Sequence, residues 1–266
     1  MGIAKDIIMK SLPLPLRLPA WYAIKKIQGS LEDEIEYVKK RIAPNKCMID
    51  IGANIGIYAY AFRKHCSVIH AFEPQPGCVN VLMALGSDRI RVHPVALSDV
   101  AGMLDLHIPV QRGCRLDGLA SFRPLQGEVV VERVKVDVLD SYRFVGVALL
   151  KIDVEGHEMK VLKGARETIR REHPLILIEI EQRHLEAPMA ELFEAIVKEG
   201  YRGGFLLRRK WRPIEEFSYE KHQRPFENEL RSERYRKVKG AYVNNFIFEP
   251  RGPARDAARG GGKQHR

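Results

Sequence analysis

The chain has 266 residues, 45% of them hydrophobic and 29% charged, with a formal net charge of +10. Those proportions fit a soluble globular protein with one large α/β core, not a membrane-spanning one. The positive excess favours anionic surfaces, anionic substrates or nucleic acid as neighbours, and says nothing about fold. In chain order, "MGIAKDIIMKSLPLPLRLPAWYAIKK" is broken by Lys5, Asp6, Lys10 and several prolines. It falls short of the roughly 20 apolar residues that a membrane span needs, and lacks the apolar core of a signal peptide. It reads as an irregular arm with a short helix over 1–46; the sharper alternative is a weak peripheral membrane or partner contact through Ile7, Ile8, Leu12, Leu14 and Trp21. "SLEDEIEYVKKR" predicts a helix from Ser30 to Arg41 with Ser30 as its N-cap and acids early. Short apolar runs then predict strands at Cys47–Ile51, Ser67–Phe72, Ile90–Val95, Val147–Ile152 and Leu175–Ile180. They lack alternation, as strands covered on both faces do. Helical patterns at Ile57–Lys64, Gly77–Leu85 and Glu158–Arg171 separate them, which implies a mostly parallel sheet.

Between Leu97 and Tyr142 two alternating segments, "MLDLHIP" and "VVVERVKVDVLD", predict an inserted β-hairpin on one edge. A helix over Ala187–Glu199, a strand in "GGFLLRRKWRPI" and another in "AYVNNFIFEP" close the domain, taken as 47–250. Glu215–Lys239 reads as solvated helix or lid, and 251–266 as a disordered basic tail. Cys47, Cys66, Cys78 and Cys114 form no C-x-x-C pair and no zinc spacing with histidine, so they read as reduced thiols, placing the chain in the cytoplasm.

The chemistry concentrates in turns that follow strands. "CMIDIGANIGIYAYAF" runs from strand into helix through Asp50, Gly52, Ala53, Asn54 and Gly56, in the pattern D-x-G-x-N-x-G. Dinucleotide enzymes use G-x-G-x-x-G, whose backbone approaches a pyrophosphate. An acid at this strand end repels a pyrophosphate and suits a cationic ligand such as S-adenosylmethionine. Glu73 in "HAFEPQP" ends the next strand, with Pro74 behind it, where an acid can accept both ribose hydroxyls. "HPVALSD" places Ala96, Ser98 and Asp99 at the same edge, with room for an adenine ring. "LLKIDVEGHEMKVLKGA" puts Asp153, Glu155 and Glu158 at the mouth of a fourth strand. Lys151 inside that strand needs a partner, Asp153 or Glu155. Glu179 interrupts the last apolar run and calls for pairing or function.

These segments, taken in order with "VALSD" and "LILIEIE", resemble FkbM-type methyltransferases over about Cys47 to Glu181. The resemblance implies the S-adenosylmethionine-dependent class I methyltransferase fold: a Rossmann-like, doubly wound sheet of seven strands, the last antiparallel. It also implies O-methylation of a sugar, glycan or natural-product hydroxyl, with Asp50, Gly52, Asn54 and Gly56 holding the methionine part and Glu73 the ribose. For the base, position favours Asp153 or Glu155, with His157 behind them. The alternative is a divalent cation held by Asp153 and Glu179. His65, His70, His93, His107 and His184 read as packing or surface residues, and Trp21 and Trp211 with Arg208, Arg209, Lys210 and Arg212 as a basic face that could serve an acceptor. Ribose O-methylation of RNA and a cofactor-binding scaffold without turnover remain competing readings. An Asn/Asp-Pro-Pro-aromatic turn, the mark of base N-methylation, is replaced by "DVEG".

Overall fold

The computed structural model describes residues 11–111, 113–227 and 240–251. Ile7 and Ile8, residues 228–239 of the expected lid and residues 252–266 of the expected tail lie outside them. The central sheet has eight strands: Cys47–Ile51 (β1), Val68–Phe72 (β2), Ile90–His93 (β3), Val147–Ile152 (β8), Leu175–Glu179 (β9), Tyr201–Leu207 (β10), Lys210–Pro213 (β11) and Asn245–Pro250 (β12). Their order is β11-β10-β12-β9-β8-β1-β2-β3. From β3 to β9 all neighbours are parallel, whereas β12 runs antiparallel between β9 and β10. This is a class I methyltransferase sheet with one strand more than the seven expected. The extra strand arises because "GGFLLRRKWRPI" folds back on itself: Arg208 and Arg209 take left-handed φ of 50° and 66°, and β11 pairs antiparallel with β10.

The unbroken apolar runs have a simple cause. Alternate side chains leave opposite faces of a strand, and here both faces are covered. Ile49, Ile51, Leu150, Ile152, Ile176 and Ile178 enter one core, and Met48, Leu149, Leu175 and Leu177 enter the other. Each such side chain contributes about 1.5–3 kcal/mol by leaving water. The same parity sends Asp50 and Lys151, register neighbours across β1 and β8, to the second face.

That face is closed by Leu14–Ile27 (α1), Ile57–Phe62 (α3) and Pro76–Ala84 (α4), with Leu18 fully buried and Tyr22 against Tyr60 at 5.1 Å. The arm is therefore more helical than expected. Glu34–Lys39 (α2) is shorter than expected, because the Ser30 hydroxyl donates to the Lys25 carbonyl (3.2 Å) at the end of α1 instead of capping α2. On the other face, Glu158–Gly164 (α5) and Arg166–Glu172 (α6) are split at Ala165, and Met189–Lys198 (α7) precedes β10. The insertion is larger than a hairpin: Gly102–Gln111 (β5) and Val129–Asp137 (β7) pair antiparallel, flanked by Ala96–Leu97 (β4) and Cys114–Arg115 (β6). Tyr219–His222 (α8) leads towards β12.

Candidate active site

The pattern D-x-G-x-N-x-G becomes a turn in which every second residue is left-handed: Gly52 at φ 74°, Asn54 at 50° and Gly56 at 92°. Asn tolerates that region better than other side chains. Gly52 has a second reason to be glycine, since a Cβ there would stand 1.8 Å from the Asp153 carbonyl oxygen. The turn thereby lies against the mouth of β8. Asn54 N–H donates to Glu73 Oε2 (2.8 Å) and Gln75 N–H to Glu73 Oε1 (2.9 Å), which fixes the carboxylate between β1 and β2. A carboxylate has about four acceptor positions, so two remain. Burial pushes the Glu73 pKa up to about 7, against the two backbone donors.

At the carboxyl ends of β1, β2 and β8 lies a cleft of about 80 Å³. It gathers Gly52 and Asn54 from the turn, Glu73, Pro74 and Gln75 from the end of β2, Ala96 and Leu97 from β4, and Asp153, Val154 and Glu155 from β8. The insertion supplies the opposite wall through Leu106, Asp117, Gly118, Ala120 and Phe122. Gln75 Nε2 donates to the Asp117 carbonyl (2.9 Å), and its buried Oε1 has no partner. Of the lining residues four are acids and none is Lys or Arg.

Seven of the expected residues therefore meet in this cleft: Gly52, Asn54, Glu73, Pro74, Ala96, Asp153 and Glu155. Six are placed elsewhere. Ala53 and Gly56 lie within the turn, its ends joined by the bond from Gly56 N–H to the Ala53 carbonyl (2.9 Å). Asp50 is buried beneath it, accepting from Ala59 N–H (3.1 Å) at the start of α3. Burial raises its pKa to about 7, with the Lys151 charge working the other way. His157 is buried with Nε2 2.9 Å from Ser98 Oγ, and Ser98 in turn bonds Asp99 (3.1 Å). Burial depresses the His157 pKa to about 4, so the ring is neutral, tying α5 to the loop after β4. Glu158 accepts the Gly156 N–H (2.9 Å) and serves the turn.

Lys151 is fully buried and finds its partner in Asp153, at 3.3 Å. Burial disfavours its charge, but Asp153, Glu179 and Asp50 outweigh that and raise its pKa. The divalent-cation alternative at Asp153 and Glu179 finds no support here: the cation beside Asp153 is the protein's own ammonium. Glu179 is bonded instead to Asn244 Nδ2 (2.6 Å), and among the described residues no group of three or more His, Cys, Asp or Glu is placed to hold a metal ion. Trp211 stacks on Tyr37 (5.4 Å) away from the cleft.

Sequence reasoning missed Gln75, the insertion's wall and His184. Gln75 sits in the same "EPQP" as Glu73 and carried a usable signal; the others depend on contacts far apart in sequence. His184 Nδ1 bonds the Glu155 carboxylate, and Ser121 Oγ donates to the Glu155 carbonyl (2.7 Å).

A sheet of this order with a cleft at its switch point is the class I methyltransferase architecture. The Methyltransferase FkbM domain family matches residues 50–205, and the chain belongs to that S-adenosylmethionine-dependent family. The methyltransferase sdnD of Sordaria araneosa is 32% identical over an alignment of 200 positions that covers 56% of this chain and 73% of that protein. The crystal structure of a methyltransferase FkbM from Methylobacillus flagellatus aligns with a TM-score of 0.48 at 16% identity, covering 91% of this chain and 57% of that one. An rRNA methylase from Streptococcus thermophilus aligns with a TM-score of 0.44 at 9% identity over 82% of this chain and 93% of its own.

Proposed function

We propose that residues 47–250 form an S-adenosylmethionine-dependent O-methyltransferase domain acting on a hydroxyl of a sugar, glycan or natural-product acceptor, with 1–46 as an N-terminal segment before it. The observation that carries the donor reading is the charge of the cleft: four acids and no base, in a chain of net charge +10. Such a lining repels a pyrophosphate and attracts a sulfonium with an α-ammonium. The residues present fit the donor. Glu73 keeps two acceptor positions for ribose hydroxyls, and the unpartnered Gln75 Oε1 is an acceptor awaiting an N–H or O–H. Ala96, Leu97 and Pro74 supply apolar surface for the adenine. Bound there, S-adenosylmethionine supplies an electrophilic methyl group. The protein's part is to fix Asp153 and Glu155 beside it, exclude water and align the acceptor, which in well-oriented systems provides about 7–11 kcal/mol.

The test is calorimetric titration of the full chain with S-adenosylmethionine, S-adenosylhomocysteine and NAD. The first two are expected to bind and NAD to fail; a chain that binds NAD, or none of the three, defeats the reading. The four cysteines are free, which suits a reducing compartment such as the cytoplasm, and no described helix is long and apolar enough to cross a membrane.

A further inference from the structure

A second cleft, of about 520 Å³, adjoins the first and shares Glu155 with it. We propose that it receives a neutral polyhydroxyl acceptor and that His184, oriented by Glu155, is the base that removes the acceptor's proton. The inference rests on the donor reading above and extends it to the other substrate.

The geometry of the dyad carries it. With Nδ1 donating to the Glu155 carboxylate, the neutral ring has its lone pair on Nε2, and no described group bonds that nitrogen. A carboxylate–imidazole pair of this kind holds the tautomer and stabilises the imidazolium that forms. Three segments cooperate to build it. Glu155 stands at φ 49°, a region costly for a side chain of its size, and functional sites are where such cost is retained. Gly156 follows at φ 97°, and a Cβ there would lie 2.3 Å from the His184 carbonyl oxygen, so the Gln182–His184 turn reaches the mouth of β8 only because position 156 has no side chain. From the insertion, Arg123 donates to that same carbonyl and Ser121 Oγ to the Glu155 carbonyl.

In the reaction this pairing serves, the acceptor oxygen bonds the methyl carbon as its proton passes to His184 Nε2. The electron pair of the broken carbon–sulfur bond stays on sulfur, which leaves as a neutral thioether. The imidazolium then returns its proton to solvent. The charged groups around the ring are Glu155 and Asp153 from β8, Glu181 and Arg183 from its own turn, and Arg123 with Glu186 alongside. Burial disfavours the imidazolium, but the bond to Glu155 outweighs it and holds the pKa above the ordinary histidine value. A neutral acceptor follows from the arginines. Arg123 and Arg183 line the cleft but already hold Glu186 (3.5 Å) and Glu181, so neither is a bare cation for phosphate. Pro109, Leu119 and Leu125 offer the apolar surface on which a sugar ring's C–H faces can lie.

The test uses the full chain saturated with S-adenosylhomocysteine, its imidazole nitrogens followed by NMR during titration with neutral methyl glycosides and with glucose 6-phosphate. His184 should be the Nδ1–H tautomer, titrate above the ordinary histidine value, and drop when Glu155→Gln removes the charge. At least one methyl glycoside should move its Nε2 signal, and the sugar phosphate should not. With that glycoside and S-adenosylmethionine, Glu155→Gln and His184→Gln should lower turnover by about 10²- to 10⁴-fold, and His184→Gln, outside the donor cleft, should hold affinity for S-adenosylhomocysteine within about twofold. An Nε2–H tautomer, a titration indifferent to Glu155→Gln, or a His184→Gln enzyme within tenfold of wild type overturns the base. Silence from every glycoside, a response to the phosphate, or a bound glycoside left unmethylated overturns the acceptor. Failure of the wild-type chain to bind S-adenosylhomocysteine strikes the donor reading instead.

Discussion

In the donor site proposed above, Glu73 meets two demands that pull its proton in opposite directions. Burial favours the neutral acid and brings its pKa to about 7, with the nearby Asp117 charge adding to the rise. Accepting ribose hydroxyls favours the carboxylate. Donor binding must therefore release a proton wherever the free site is protonated, so affinity rises with pH through about 7 and levels off above it. Between pH 6 and pH 8 the Kd for S-adenosylhomocysteine should fall about tenfold, the change in ionised fraction for a group of that pKa. Glu73→Gln should weaken binding by roughly 10- to 100-fold at pH 8, the worth of hydrogen bonds to a charged group, and flatten the pH dependence. Calorimetry at three pH values checks both, and a wild-type Kd that ignores pH would remove Glu73 from the donor site. His157 makes the contrast: with its Nε2 engaged by Ser98 it has no comparable freedom, and its place at the head of α5 is structural.

Among the elements, those covered on both faces were the most legible. β1 and β8 begin and end at the residues that the apolar runs predicted, because both faces of these strands are covered and their runs stay apolar apart from the one charged residue in each. The expected long helix over Glu158–Arg171 is interrupted at Ala165, just after Gly164 packs against the Ser98 carbonyl, a contact that no local pattern reveals. The site shows the same division. Glu73, Asn54 and Glu155 were legible because they follow strands directly. The insertion's wall was not, since Asp117 is fixed by Gln75 across 42 residues. Nor was His184, whose partner is 29 positions away. Asp50 belongs to the same motif as Asn54, yet strand parity turns it inward with Met48, where it accepts from Ala59 N–H. Nothing in "RR" announces a tight turn, so β11 came as an eighth strand. That strand has its own test. Trp211 stacks on Tyr37 at an interplanar angle of 3°, Arg41 lies over the Tyr37 ring at 3.3 Å, and the indole fills the space above Gly204, where a Cβ would lie 2.1 Å from it. Trp211→Ala should cost about 2 kcal/mol in urea unfolding, somewhat below a fully buried tryptophan. Affinity for S-adenosylhomocysteine should hold; a change in Kd would tie this edge to the donor cleft after all.

For the whole molecule the decisive quantity is where the positive charge sits. Residues 1–10, 112, 228–239 and 252–266 hold twelve Lys and Arg against four Asp and Glu, so eight of the ten net charges lie in them. The described fold is close to balance, and its arginines are largely paired, as in Arg166 and Arg170 on Glu199 or Arg41 and Arg202 on Glu249. Within that fold the donor cleft is acidic. The positive excess and the acidic cleft thus lie in different parts of the chain. A chain ending at Arg251, one residue beyond β12, loses four basic residues and one acid, three units of net charge. If those residues contact phosphate or sulfate, each is worth about 0.7–0.9 in the salt slope of polyanion binding. The shortened chain should leave heparin at lower salt and show a salt slope for RNA binding reduced by up to about three, while S-adenosylhomocysteine affinity is preserved. Unchanged heparin retention would move the polyanion-attracting charge onto the folded surface. A loss of donor affinity would bring the tail to the acidic cleft, where its arginines would compete with the cationic donor for Glu73, Asp117, Asp153 and Glu155.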